Sequence, residues 1–134
     1  MLDASVALSR FMPGEQNPHT HALLTRTRNA GALVPAFWRL EVANIVLMAE
    51  RKGRITHALR SRALTALARL PIRIDTETAA QAWTQTLDLA QVQNLTLYAA
   101  AYLELSLLSG GPLATLDQAL RQAAISCGVT VLGM

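Results

Sequence analysis

Cysteine is all but missing from this sequence: Cys127 is the single thiol in 134 residues. That excludes an internal disulfide framework and a cysteine-rich zinc site. Charge is scarce as well. Charged residues make up 16% of the chain against 51% apolar, and the mean hydropathy is +0.26, the reverse of the balance that keeps a segment disordered. Long apolar runs are lacking too: the longest, residues 97–103, stops at Glu104, far short of the ~20 residues of a bilayer-spanning helix. No membrane segment is expected. The opening decapeptide MLDASVALSR has an acid at position 3 and no basic stretch ahead of an apolar one, so it does not read as a signal peptide. Together with the lone thiol, this favours a cytoplasmic protein.

What is present is a chain suited to one domain, residues 1–134, with enough apolar residues for a single core. Eleven arginines and one lysine face nine acids, a formal charge of +3 and a sequence pI near 9.8. Spread over 134 residues, that field is too weak to define a polyanion binder by itself. The nine acids are more informative, because so few can each be placed.

Leu2 followed by Asp3 and the helix-compatible ASVALSRFM suggests a short strand handing over to a helix at the acid; Pro13 and Gly14 end it. Asn17-Pro18 is an N-cap and first-turn pair opening a helix that Gly31 closes. ALVP at 32–35 reads as a buried strand. Residues 37–51 form the clearest helix, with Trp38, Val42, Ile45, Val46 and Ala49 at helical spacing and Gly53 just beyond. A further helix is expected over 56–70, with Leu59, Leu64, Leu67 and Leu70 inward. PIRID alternates as a strand, and the next helix carries Ala79, Ala82, Trp83, Leu87 and Ala90. QVQNLT is a polar connection to the Ala- and Leu-rich helix YAAAYLELSLL, ended by Gly110, Gly111 and Pro112. LATL at 113–116, the helix DQALRQAAISC and the strand VTVL at 129–132 complete the chain. Strands separated by helices imply parallel pairing through crossovers. The expected fold class is therefore α/β: an α/β/α layered single domain with a mainly parallel central sheet of about five short strands.

In an open parallel sheet the reactive crevice lies beyond the carboxyl ends of the strands. Asp3 and Asp117 each stand where an expected strand becomes a helix, and Glu41 lies in the first turns of the helix after the 32–34 strand. Three carboxylates from distant parts of the chain are thus expected to meet. Clustered acids repel one another unless a cation neutralises them, and an all-oxygen set suits Mg²⁺ or Mn²⁺. An acid after a strand also serves as a helix N-cap, so Asp117 alone does not decide the matter. Asp75, followed by Thr-Glu-Thr, reads as a capping residue. Glu15, Glu50, Glu77 and Asp88 read as loop or polar-face residues, and Glu104 lies off the face that position 99 presents. His19, His21 and His57 show no ligand spacing.

The segments LDASV, PAFWRLEVANIVL, LTLYAAAYLELS and PLATLDQALRQAA resemble, in order and spacing, the four blocks of PIN-domain ribonucleases of the VapC toxin type. The likeness extends over essentially the whole chain. It implies a PIN-like domain whose acids bind Mg²⁺ or Mn²⁺ and hydrolyse RNA, the toxin half of a bacterial type II toxin–antitoxin system. It also implies a VapB-type antitoxin held in an apolar groove, a toxin homodimer and a larger toxin–antitoxin complex. Carried across, Asp3, Glu41 and Asp117 match the family's first, second and fourth acids. Where the family usually reads YDAAYLELA, this chain has Ala99 in place of an Asp. A methyl group ligates no metal, so the resemblance implies a chain inactivated either by an engineered substitution or by natural degeneration.

Around these positions Ser5 and Thr115, each two residues from an acid, are candidates to hydrogen-bond carboxylate or phosphate, or to cap a helix. Asn44, three residues after Glu41, shares its helix face. Arg10, Arg39, Arg51, Lys52 and Arg54 are candidates to guide RNA phosphates. Phe37, Trp38, Leu40, Val42, Leu47 and Met48 exceed what one buried face needs, which points to a partner helix or a second copy. Two other functions fit the same residues: a catalytically degenerate PIN-like binding module, and a non-toxin PIN nuclease in RNA processing.

Overall fold

The computed structural model describes residues 1–133. Helices dominate. Asp3 caps α1 (Ala4–Leu8), which tightens into a 3-10 turn over Ser9–Phe11. Asn17 and Thr20 form a reciprocal capping box at the start of α2 (Pro18–Ala30), satisfying amides that a helix start leaves without partners. In α3 (Trp38–Arg51), Trp38, Val42, Val46 and Ala49 are buried at three- and four-residue intervals, the stripe of a helix laid on a core. Thr56 caps α4 (His57–Ala68), whose buried residues are Ala63 and Leu67; Leu59, Leu64 and Leu70 pack half-buried beside them.

The helix α7 (Leu97–Ser109) is the spine of the molecule. Thr96 caps it through the Ala99 amide at 3.1 Å, all seven residues from Ala100 through Ser106 are buried, and Gly110 ends it in a left-handed turn. It forms an αα-hairpin with α6 (Gln85–Gln93), turned at Asn94, which adopts φ +54°. The last helix, α8 (Gln118–Ser126), is capped by Asp117 through the Leu120 amide at 3.1 Å.

The expected central sheet of about five strands does not form. Among the described residues there are two separate two-stranded parallel sheets, β1 (Ala32–Val34) with β2 (Ile72–Ile74) and β3 (Leu113–Ala114) with β4 (Val131–Leu132). Leu2 adds only an isolated parallel bridge to Ala114. The extended segments are two or three residues long, and Pro35, Pro71 and Pro112 beside them lack the N–H that would lengthen a ladder. The core instead closes largely helix on helix, so the α/β/α reading is replaced by a helix-dominated domain.

A second correction concerns Trp83. The single helix expected after PIRID is broken into α5 (Thr78–Gln81) and α6, and Trp83, expected inward, is 88% exposed. Thr84 stands at φ −119°, ψ −102°, outside the helical region; its amide donates to the Gln81 carbonyl at 3.1 Å and its hydroxyl to Gln85 Oε1. Residues 91–93, expected in the connection, instead complete α6.

Gly31 fixes how α2 meets β1. It has φ +80°, and a Cβ there would lie 2.9 Å from the Pro71 carbonyl oxygen, the same oxygen that accepts from the Ala32 amide at 3.2 Å. Gly31→Ala is expected to destabilise the fold by about 2 kcal/mol, read as a lowered urea midpoint. No helix among the described residues is long and apolar enough to cross a membrane.

Candidate functional site

Three of the acids converge through local folding that brings their elements together. Asp3 lies between the Leu2 bridge and α1, and its amide donates to the Ala114 carbonyl at 3.0 Å. This contact sets it beside the end of β3. Its carboxylate is 8% exposed and collects three donors: the Ser5 amide (3.4 Å), the Ser5 hydroxyl (3.1 Å) and the Thr115 hydroxyl (2.7 Å). Thr115, fully buried, also accepts from the Asp117 amide at 3.0 Å, so one hydroxyl links the first acid to the backbone of the last. Asp117 itself is exposed and caps α8. Glu41, half-buried on the first turns of α3, accepts a 2.7 Å hydrogen bond from the Tyr102 hydroxyl of α7.

The electrostatics tie the three together. Burial pushes the Asp3 carboxyl above its ordinary range, and the charge of Asp117 adds to the shift against the hydrogen bonds from Thr115 and Ser5. Burial likewise raises Glu41, with Asp3 adding repulsion and Tyr102 opposing it. No basic side chain pairs with any of them: among the described residues the ion pairs join Glu50 to Arg60 and to His57. Asp3 is thus repelled by Asp117 and repels Glu41, none of the three has a basic partner, and the donors are all oxygen. That is the chemistry a hard divalent cation fits. Among the described residues no three His, Cys, Asp or Glu donors are gathered closely enough to form a ready-made metal cluster.

Ala99 offers only a half-buried methyl packed against the core. It precedes Tyr102 by three residues, so the two share a face of α7, the face that meets Glu41. Asn44 is exposed and makes no side-chain hydrogen bond to these acids. Arg10, Arg39, Arg51, Lys52 and Arg54 are all exposed. Asp75 accepts from the Thr78 hydroxyl at 3.0 Å in a local turn. Glu104 lies outside the cluster, as its spacing indicates, but it is buried and bonded to the Thr86 hydroxyl across the α6–α7 hairpin.

Tyr102 and Phe37 are neighbours of the site that sequence reading missed. The Phe37 ring stands edge-on to Tyr102 at 5.7 Å and to Tyr98 at 5.1 Å. The available signal was spacing: a phenol one turn beyond position 99 on an otherwise apolar helix.

The raised carboxyls set a pH dependence. A carboxyl whose folded pKa exceeds its unfolded value binds its proton more tightly in the native state, so stability falls as pH rises from the ordinary carboxylate range through the raised values. Asp3→Asn removes that loss at Asp3. Its melting temperature is expected to exceed the parent's at neutral pH and to converge with it in acid, measured by calorimetry without divalent ions.

A helix-rich domain with two small parallel sheets, and with Asp3, Glu41 and Asp117 free of basic partners, is thus defined. No protein-family model matches the sequence, and no curated protein does. Among solved structures, the chain is similar to the crystal structure of PAE2754 from Pyrobaculum aerophilum, with a TM-score of 0.68 and 20% sequence identity, covering 97% of this chain and 86% of that one. At that identity the likeness is one of fold.

Proposed function

We propose that the chain is a divalent-metal-dependent endoribonuclease toxin of the VapC type, silenced in this form by alanine at position 99. The observation that carries the reading is the linkage of the Asp3 carboxylate to the Asp117 backbone through the Thr115 hydroxyl, with no basic side chain paired to Asp3, Glu41 or Asp117. The reading concerns the acid set and stands apart from the five-stranded sheet, which the chain does not form. Asp3, Glu41 and Asp117 would hold Mg²⁺ or Mn²⁺, with a fourth carboxylate at position 99 in the active form. Such an ion, when bound, lowers the pKa of a coordinated water and neutralises charge on the phosphorus centre. Ser5 and Thr115 hold the Asp3 carboxylate in one orientation, as supporting groups around a ligand do. The exposed Arg10, Arg39, Arg51, Lys52 and Arg54 draw the RNA backbone in.

An antitoxin is the second part of the proposal. An apolar pocket of about 330 Å³ opens between α3, α5 and α7, lined by Phe37, Leu40, Ala79, Ala82, Leu97 and Tyr98. Leu40 is 77% and Tyr98 61% exposed, which suits anchors of an amphipathic helix. The test of the whole reading is divalent-dependent RNA cleavage by the Ala99→Asp protein and its loss on adding Asp3→Asn. An Ala99→Asp protein that binds RNA or a partner but cuts nothing would instead favour the degenerate binding module.

A further inference from the structure

Tyr102 is placed for more than packing. It is 1% exposed, the most buried aromatic of the chain, yet its hydroxyl is committed to a residue 61 positions away on another helix, donating to Glu41 Oε1 at 2.7 Å. The same hydroxyl lies beside the backbone amide of Ala4, the residue after Asp3. It therefore sits at the junction of the two elements that bear the first and second acids. Its ring is held edge-on by Phe37, with planes 85° apart, so the phenol cannot swing away without opening the core. Glu41 is the reverse case: a half-buried carboxylate on a flexible stem, with no other side-chain hydrogen bond among the described residues. A free Glu side chain samples many rotamers, and fixing one costs conformational entropy.

We propose that Tyr102 is a positioning residue that holds Glu41 by Oε1 and so presents Oε2 as the oxygen available to a divalent cation. The proposal rests on the acid-site reading above and adds to it the atom by which Glu41 acts. Position 99, one turn earlier on α7, lies on the same face, so one helix supplies the missing carboxylate and the group that orients its neighbour.

The experiment is a double-mutant cycle in the Ala99→Asp protein, with Tyr102→Phe and Glu41→Ala singly and together. Mn²⁺ alone is titrated and its free fraction read by electron paramagnetic resonance. Tyr102→Phe keeps the ring against Phe37, so the melting temperature should stay close to the parent's. Mn²⁺ affinity should fall about tenfold, the scale on which an outer-shell partner of a ligand acts. With Glu41→Ala already present, Tyr102→Phe should cause no further loss, since nothing remains to position; a purely structural tyrosine would weaken binding in both backgrounds. On an RNA oligonucleotide, kcat should fall while KM stays unchanged. Parental Mn²⁺ affinity in Tyr102→Phe, or equal losses with and without Glu41, overturns the positioning role and leaves the acid site standing. An Ala99→Asp parent that binds no Mn²⁺ overturns both.

Discussion

Ala99→Asp is expected to turn a silent protein into a ribonuclease. With Mg²⁺ or Mn²⁺ present, cleavage of single-stranded RNA should rise roughly a thousandfold over the parent chain, the scale on which one group that stabilises a transition state acts. The physical ground is the state of the three acids already in place. Asp3 is buried and Glu41 half-buried, both are raised and neither has a basic partner, so a fourth carboxylate raises the cost of the metal-free site and strengthens its hold on a cation. Without added metal, Ala99→Asp should therefore melt below the parent; with Mn²⁺ it should melt above it, since binding to the native state alone stabilises that state. Chelation should abolish the activity, and Asp3→Asn should remove it with metal present. An Ala99→Asp protein whose melting temperature ignores Mn²⁺ and which leaves RNA intact would refute the assignment.

The largest expected loss of stability is at Leu103. Its side chain is fully buried in α7 and belongs to the core shared with Leu2, Val6, Val42 and Leu113. Leu103→Ala is expected to cost about 3 kcal/mol, the sum of lost transfer energy and a cavity that neighbours fill only in part. Against a total stability of about 5 to 15 kcal/mol for a domain of ordinary size, that lowers the melting temperature by roughly 10 °C. Leu108, 66% exposed on the same helix, is the control: Leu108→Ala should change stability by less than about 0.5 kcal/mol.

The features legible in the sequence are those decided within one or two turns of chain. Asn17 ahead of Pro18, the inward spacing of Trp38, Val42, Val46 and Ala49, and Asp117 at the start of the last helix all act locally, and each occupies its expected place. Strand partnering does not act locally. ALV, IRI, LA and VL are extended segments as read, but nothing in two or three residues states whether four such pieces will join one sheet or, as here, two. The break at Trp83 is a local departure of the Thr84 backbone from helical angles, with the Thr84 hydroxyl bonded to Gln85 Oε1, and no apolar spacing announces it. Of the acids, Asp3 and Asp117 stand at helix starts as their spacing indicates, and cap α1 and α8. The bond of Tyr102 to Glu41 spans 61 residues and that of Thr86 to Glu104 joins two helices, so neither is announced by local spacing.

The two indoles lie at opposite extremes of exposure: Trp38 is 3% and Trp83 88% exposed. The chain therefore carries two optical reporters of different events. Emission from Trp38 should be blue and shielded from iodide, changing only when the core opens, while emission from Trp83 should be red and readily quenched. A partner that settles over the α5–α6 break would shift and protect the red component while leaving the blue one untouched, so docking and unfolding can be followed separately in one unlabelled sample.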